Sequence, residues 1–107
     1  MTSALSEQDF RLEADRALEQ LQRSLMPLAD AAGFEVELQN GVLQLVFEDP
    51  APAKFVISPN APVRQIWASA MSRSYKLSWD GSGFALDGES LDALITRLAG
   101  QQAGGRA

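Results

Sequence analysis

At 107 residues, 46% of them hydrophobic, the chain is sized for one domain with one core, and its net charge is −5 with a pI near 4.5. Cysteine and histidine are both absent, which excludes disulfides, thiolate nucleophiles, zinc sites, imidazole-ligated haem and every Ser/His or Cys/His catalytic arrangement. Any metal must then be held by oxygen, so hard cations or ferric iron at carboxylates remain, while the acidic balance argues against nucleic acid and anionic membranes as partners.

The charge is uneven. Residues 1–53 hold ten acids against three bases (net −7), and residues 54–107 hold four acids against six bases (net +2). The acidic half should attract cations and basic protein surfaces. No apolar run approaches the roughly 20 residues of a membrane span. Glu7, Asp9, Glu13, Asp15 and Glu19 near the N-terminus are unlike a secretory signal or a transit peptide, so a cytoplasmic location is expected.

Apolar residues at Phe10, Ala14, Ala17, Leu21, Leu25 and Leu28 recur in steps of three and four, predicting a helix over residues 6–28. Ser6 is placed to cap it, with Asp9 three residues on, and Pro27 is expected to end it or to lie in a frayed last turn. The pattern then switches to period two. Phe34, Val36 and Leu38 alternate with Glu35 and Glu37, and Asn40-Gly41 supplies a tight hairpin turn into Leu43, Leu45 and Phe47. Glu48 shares the outward face of that second strand with Gln44.

A proline-rich loop over residues 49–53 leads to a third strand with Phe55 and Ile57 inward, and Ser58-Pro59-Asn60-Ala61-Pro62 turns into a fourth. If Ile66 and Ala68 face the core, Gln65, Trp67 and Ser69 face water. Tyr75, Leu77 and Trp79 share one face of a fifth strand, and Asp80-Gly81-Ser82-Gly83 turns into a short sixth with Phe84 and Leu86. A second helix begins near Ser90 with Leu91, Leu94, Ile95 and Leu98 buried, Gly100 closes it, and residues 101–107 form a flexible tail. The order helix, strands, helix predicts an α+β fold: a two-layer sandwich with both terminal helices on one face of a mostly antiparallel sheet of five to six strands. One domain accounts for residues 1–107.

Two features carry functional weight. Trp67 is either an exposed aromatic on an open sheet, where apolar surface marks a partner, or a core residue reached through a bulge. Asp15 and Glu19 lie four apart on one helix face, and Glu35, Glu37 and Glu48 line the polar side of strands; they are either ordinary solvated groups or a ridge whose repulsion a cation or basic partner relieves. Carboxylate acid–base catalysis needs burial and a substrate pocket, and Gly81-Ser82-Gly83 is too short for a phosphate loop, so no enzyme is expected.

The run Asn60-Ala61-Pro62-Val63-Arg64-Gln65-Ile66-Trp67-Ala68-Ser69 resembles the signature of the frataxin family, a proline followed by Q-(I/V)-W and small residues. The similarity extends through Glu37-Leu38-Gln39-Asn40-Gly41-Val42-Leu43-Gln44-Leu45 and on to Tyr75, Phe84 and residues 87–94, covering residues 10–98. It implies weak binding of Fe2+ or Fe3+ at an acidic ridge on the first helix and first strand, with Asp15, Glu19, Asp30, Glu35, Glu37 and Glu48 as ridge or neighbouring acids. It also implies docking on the cysteine desulfurase and scaffold protein of iron–sulfur cluster assembly. Gln65 and Trp67, with Asn60, Glu35 and Glu37, would make that contact, and the protein would be monomeric without iron.

The end of the first helix departs from other bacterial frataxins, reading Gln22, Arg23, Met26, Pro27 and Ala29 where those stack acids. Iron binding is therefore expected to be weaker or displaced toward Asp30, Glu35 and Glu37. The alternative compatible with two helices, a twisted sheet and a low pI is a small acidic secretion-type chaperone, usually dimeric, or another acidic protein-interaction module without an iron role.

Overall fold

The computed structural model describes residues 5–48 and 52–104. Helix α1 (Glu7–Ala32) starts where Ser6 Oγ accepts the Asp9 N–H at 3.0 Å, and Glu7 and Asp9 place negative charge in its first turn. It ends at Gly33, whose φ of 86° is the left-handed conformation that favours glycine and whose N–H bonds to the Ala29 carbonyl. Pro27 does not end the helix, which continues to Ala32. The carbonyl that loses its donor belongs to Arg23, on the exposed side, where water can satisfy it. The buried stripe is Phe10, Ala14, Leu18, Leu21, Leu25 and Ala29, while the expected Ala17 and Leu28 are half-buried at its margin. The stripe is broader than anticipated because α1 packs against both the sheet and the second helix.

Among the described residues, seven strands form one antiparallel meander in chain order: β1 (Glu35–Gln39), β2 (Val42–Phe47), β3 (Ala53–Asn60), β4 (Gln65–Ala70), β5 (Arg73–Trp79), β6 (Phe84–Leu86) and β7 (Glu89–Ser90). The strand beyond the expected six is β7, too short to show alternation in sequence. A single 3-10 turn (Ala61–Val63) joins β3 to β4, and Arg64 beside it donates to the carbonyls of Leu5 and Ala61, tying the start of α1 to the sheet. Helix α2 (Leu91–Gly104) is capped by Ser90, whose Oγ accepts the Ala93 N–H at 3.1 Å. It runs through Gly100 instead of stopping there: an interior glycine weakens a helix by about 1 kcal/mol but ends one only where the chain turns left-handed. Ala103 packs against the core, and residues 105–107 of the expected tail lie outside the described residues.

Both helices cover the sheet face bearing Leu43, Leu45, Phe47, Phe55, Ile57, Ile66 and Leu77, all 2% exposed or less. Phe47 stacks between Phe34 (4.5 Å) and Phe55 (4.9 Å), and Phe84 meets Phe10 edge-on at 5.6 Å and Trp79 at 5.3 Å. Among the described residues no polar side chain is buried.

The hairpins differ in how well their residues suit them. Asn40 (φ 53°) and Gly41 (φ 76°) fit the left-handed two-residue turn between β1 and β2. Between β4 and β5 the same positions are Met71 (φ 54°) and Ser72 (φ 65°), neither of which favours that conformation. Ser72→Gly is therefore expected to stabilise the domain by about 1 kcal/mol, read as an upward shift of the urea midpoint at constant slope. An unchanged or lower midpoint would show that the turn carries no such strain.

At the β5–β6 turn, Asp80 Oδ1 accepts from the Ser82 and Gly83 N–H groups, each at 2.9 Å, and from the Ser82 hydroxyl. The two backbone donors and then the hydroxyl hold this carboxyl below its usual range. A carboxyl with a depressed folded pKa stabilises fully above its unfolded value, and the contribution disappears as pH falls through the folded value. The stability gap between wild type and Asp80→Ala should be open at neutral pH and close at the acid end; a gap constant with pH would contradict this.

Candidate interaction surface

Among the described residues no helix covers the second sheet face, to which strand alternation turns the polar side chains. Trp67 stands on it, 38% exposed, between buried Ile66 and Ala68, as the sequence parity requires. Cross-strand register sets Ser58 and Lys76 on either side of it, and sets Asn60 and Ser78 on either side of Gln65. The indole Nε1–H donates to Gln65 Oε1 at 2.9 Å, the Gln65 Nε2 donates to Ser78 Oγ at 3.2 Å, and Lys76 Nζ lies 4.9 Å from the ring centroid. Beside the ring is a depression of about 420 Å3 lined chiefly by Val56, Ser58, Trp67, Ser69, Ser74 and Lys76.

The acids lie toward the β1 edge. Glu35 and Glu37 are exposed on β1, opposite Val46 and Gln44, and Glu48 is exposed immediately after β2. Asp15, Glu19 and Asp30 are exposed on α1, and at 3.6 residues per turn they fall within about 60° of one another on one flank. At its N-terminal end this flank meets the β1–β2 turn, where Asp15 and Arg11 line a cleft of about 360 Å3 with Asn40 and Gly41, and α1 packs along β1. Acids from α1 and β1 thus border the same sheet edge from its two sides. Among the described residues, none of these six forms a salt bridge, whereas Glu7, Glu13 and Glu89 are paired with Arg11, Arg16 and Arg97. The described residues contain no group of three or more acids gathered closely enough to hold a metal ion. Their chemistry, oxygen donors alone, suits hard cations in general, and their spacing makes an acidic field along an edge.

The structure brings Gln65, Trp67 and Asn60 together and keeps Glu35 and Glu37 two to three strands away on the same sheet. Lys76 and Ser78 were not singled out in the sequence. Their signal was present: Ser74, Lys76 and Ser78 alternate with Tyr75, Leu77 and Trp79, which puts them on the face of Trp67.

An α+β sandwich with helices on one face, a bare sheet carrying a hydrogen-bonded tryptophan on the other, and an unpaired acidic edge has the architecture of a binding module. Comparison with known families matches residues 3–105 to the frataxin-like domain. The chain belongs to the frataxin-like family.

Its relatives include the iron-sulfur cluster assembly protein CyaY of Cupriavidus metallidurans, 34% identical over 94% of this chain and 92% of that one. The CyaY of Pseudomonas syringae is 32% identical over 78% of this chain and 79% of its own. The solved frataxin of Psychromonas ingrahamii shares the fold with a TM-score of 0.71 at 15% identity, covering 94% of this chain and 93% of its own. Family membership displaces the secretion-chaperone alternative. No helix among the described residues is long and apolar enough to cross a membrane.

Proposed function

We propose that this protein is a non-enzymatic regulator of cytoplasmic iron–sulfur cluster assembly, acting as one domain, monomeric without iron, that docks on the cysteine desulfurase and its scaffold partner. The observation that carries this reading is the arrangement of the open sheet: Trp67 is exposed and held by a hydrogen bond on the open face, and the exposed acids of β1 on that same face form no salt bridge among the described residues. An aromatic anchor supplies apolar contact area, and an unpaired acidic edge steers a basic partner toward it. The relatives' role in cluster assembly names the system in which such a partner would be met.

Iron is the ligand the same acids suit. Spread along Asp15, Glu19, Asp30, Glu35, Glu37 and Glu48, they would hold Fe2+ or Fe3+ weakly, by field and by single or paired carboxylates, at an exchangeable site. Weak, reversible occupancy beside a docking surface is what an iron-responsive regulator requires, and iron neutralising the edge would oppose attraction to a basic partner.

Separate NMR titrations with ferrous iron and with a bacterial cysteine desulfurase test the reading. Iron should shift amides of β1 and the α1 flank, and the desulfurase should shift those together with β3 to β5 around Trp67. Absence of a complex at low salt, with cluster formation running at the same rate with and without the protein, would overturn it.

A further inference from the structure

Gln65 lies where a polar partner contact is expected, yet each end of its amide is used within the chain. The indole N–H can only donate, so the amide oxygen must face it, which turns the amide nitrogen toward the hydroxyl of Ser78 on the neighbouring strand. Both bonds run across one sheet face, between residues whose positions the β4–β5 register fixes: Gln65 opposite Ser78, and Trp67 opposite Lys76. The ring is held at its N–H edge by the amide and approached on its face by the Lys76 ammonium at 4.9 Å. A half-exposed indole on a bare sheet would otherwise sample several rotamers and lose that freedom on binding, whereas an indole already bonded has less to lose.

We propose that Gln65, braced by Ser78 and assisted by Lys76, is a positioning residue that holds Trp67 in its binding pose before a partner arrives, and that it is not itself the group a partner recognises. For its effect on affinity this rests on the docking reading above; the pose itself is a property of the free protein.

The test therefore has two parts. In the free protein, Gln65→Ala should move the Trp67 indole N–H resonance and speed its exchange with solvent while leaving that of Trp79 in place. Gln65→Glu, which keeps the acceptor oxygen, should retain most of the wild-type signal, and Ser78→Ala should fall between the two. An unmoved Trp67 resonance in Gln65→Ala overturns the proposal whatever the partner does.

In titrations with the desulfurase, Gln65→Ala should weaken binding by about fivefold in the wild-type background and have no further effect in Trp67→Ala, a coupling typical of residues acting as a unit. Equal losses in the two backgrounds would mean that Gln65 touches the partner directly, and would overturn the proposal. If the wild-type protein forms no complex, the docking reading fails, and the indole resonances still decide whether Gln65 sets the pose.

Discussion

Phe55→Ala is expected to destabilise the domain by about 3–5 kcal/mol, while Trp67→Ala, which removes a larger ring, costs about 1 kcal/mol or less. Phe55 is fully buried on β3, with its ring 4.9 Å from Phe47, which in turn lies 4.5 Å from Phe34. Truncation there opens a cavity between α1 and the sheet that the close-packed surroundings cannot refill. Domains of this size are stable by only about 5–15 kcal/mol, so the loss is a large share of the total. Trp67 gives up an exposed hydrogen bond and a cation–π contact worth about 0.5–1 kcal/mol at such a site, and leaves no void behind. Urea unfolding of the two variants measures the contrast directly. Comparable losses from both would place the Trp67 ring among the core contacts and remove the reason to read it as a docking group.

That assignment was available from the sequence because period-two alternation is a strong local signal: buried Ile66 and Ala68 force Gln65, Trp67 and Ser69 to the other face. Asn40-Gly41 was equally legible, since its two left-handed residues match what the hairpin needs. Where two influences compete, local rules failed. Pro27 lies within α1 because its lost bond falls on the wet side, and Gly100 lies within α2 because packing of the helix outweighs one unfavourable residue.

The support of Trp67 by Ser78 and Lys76 required the register of β4 against β5, which is set by a Met71-Ser72 turn without the Asn, Asp or Gly usual at left-handed hairpin positions. Likewise the sequence shows Asp15 and Glu19 on one helix and Glu35 and Glu37 on one strand. That they border a common edge follows only from how α1 lies along the β1–β2 hairpin.

Reversing that edge should have the largest effect on association. Glu35→Lys with Glu37→Lys is expected to weaken binding to the desulfurase by about tenfold or more at low salt, mainly through slower association, because exposed charges at an interface rim act on encounter more than on the docked complex. Both carboxylates are exposed and neither forms a salt bridge among the described residues, so fold stability should change little. β1 is an edge strand, and replacing outward Glu with outward Lys preserves its protection against strand addition from another molecule. The loss should shrink as salt rises, with screening reaching about 3 Å at 1 M. Trp67→Ala should behave oppositely, speeding dissociation with little dependence on salt. Stopped-flow association and dissociation rates across a salt series separate the two. A charge-reversed protein that associates as fast as wild type at every ionic strength would show that the acidic edge does not steer this partner.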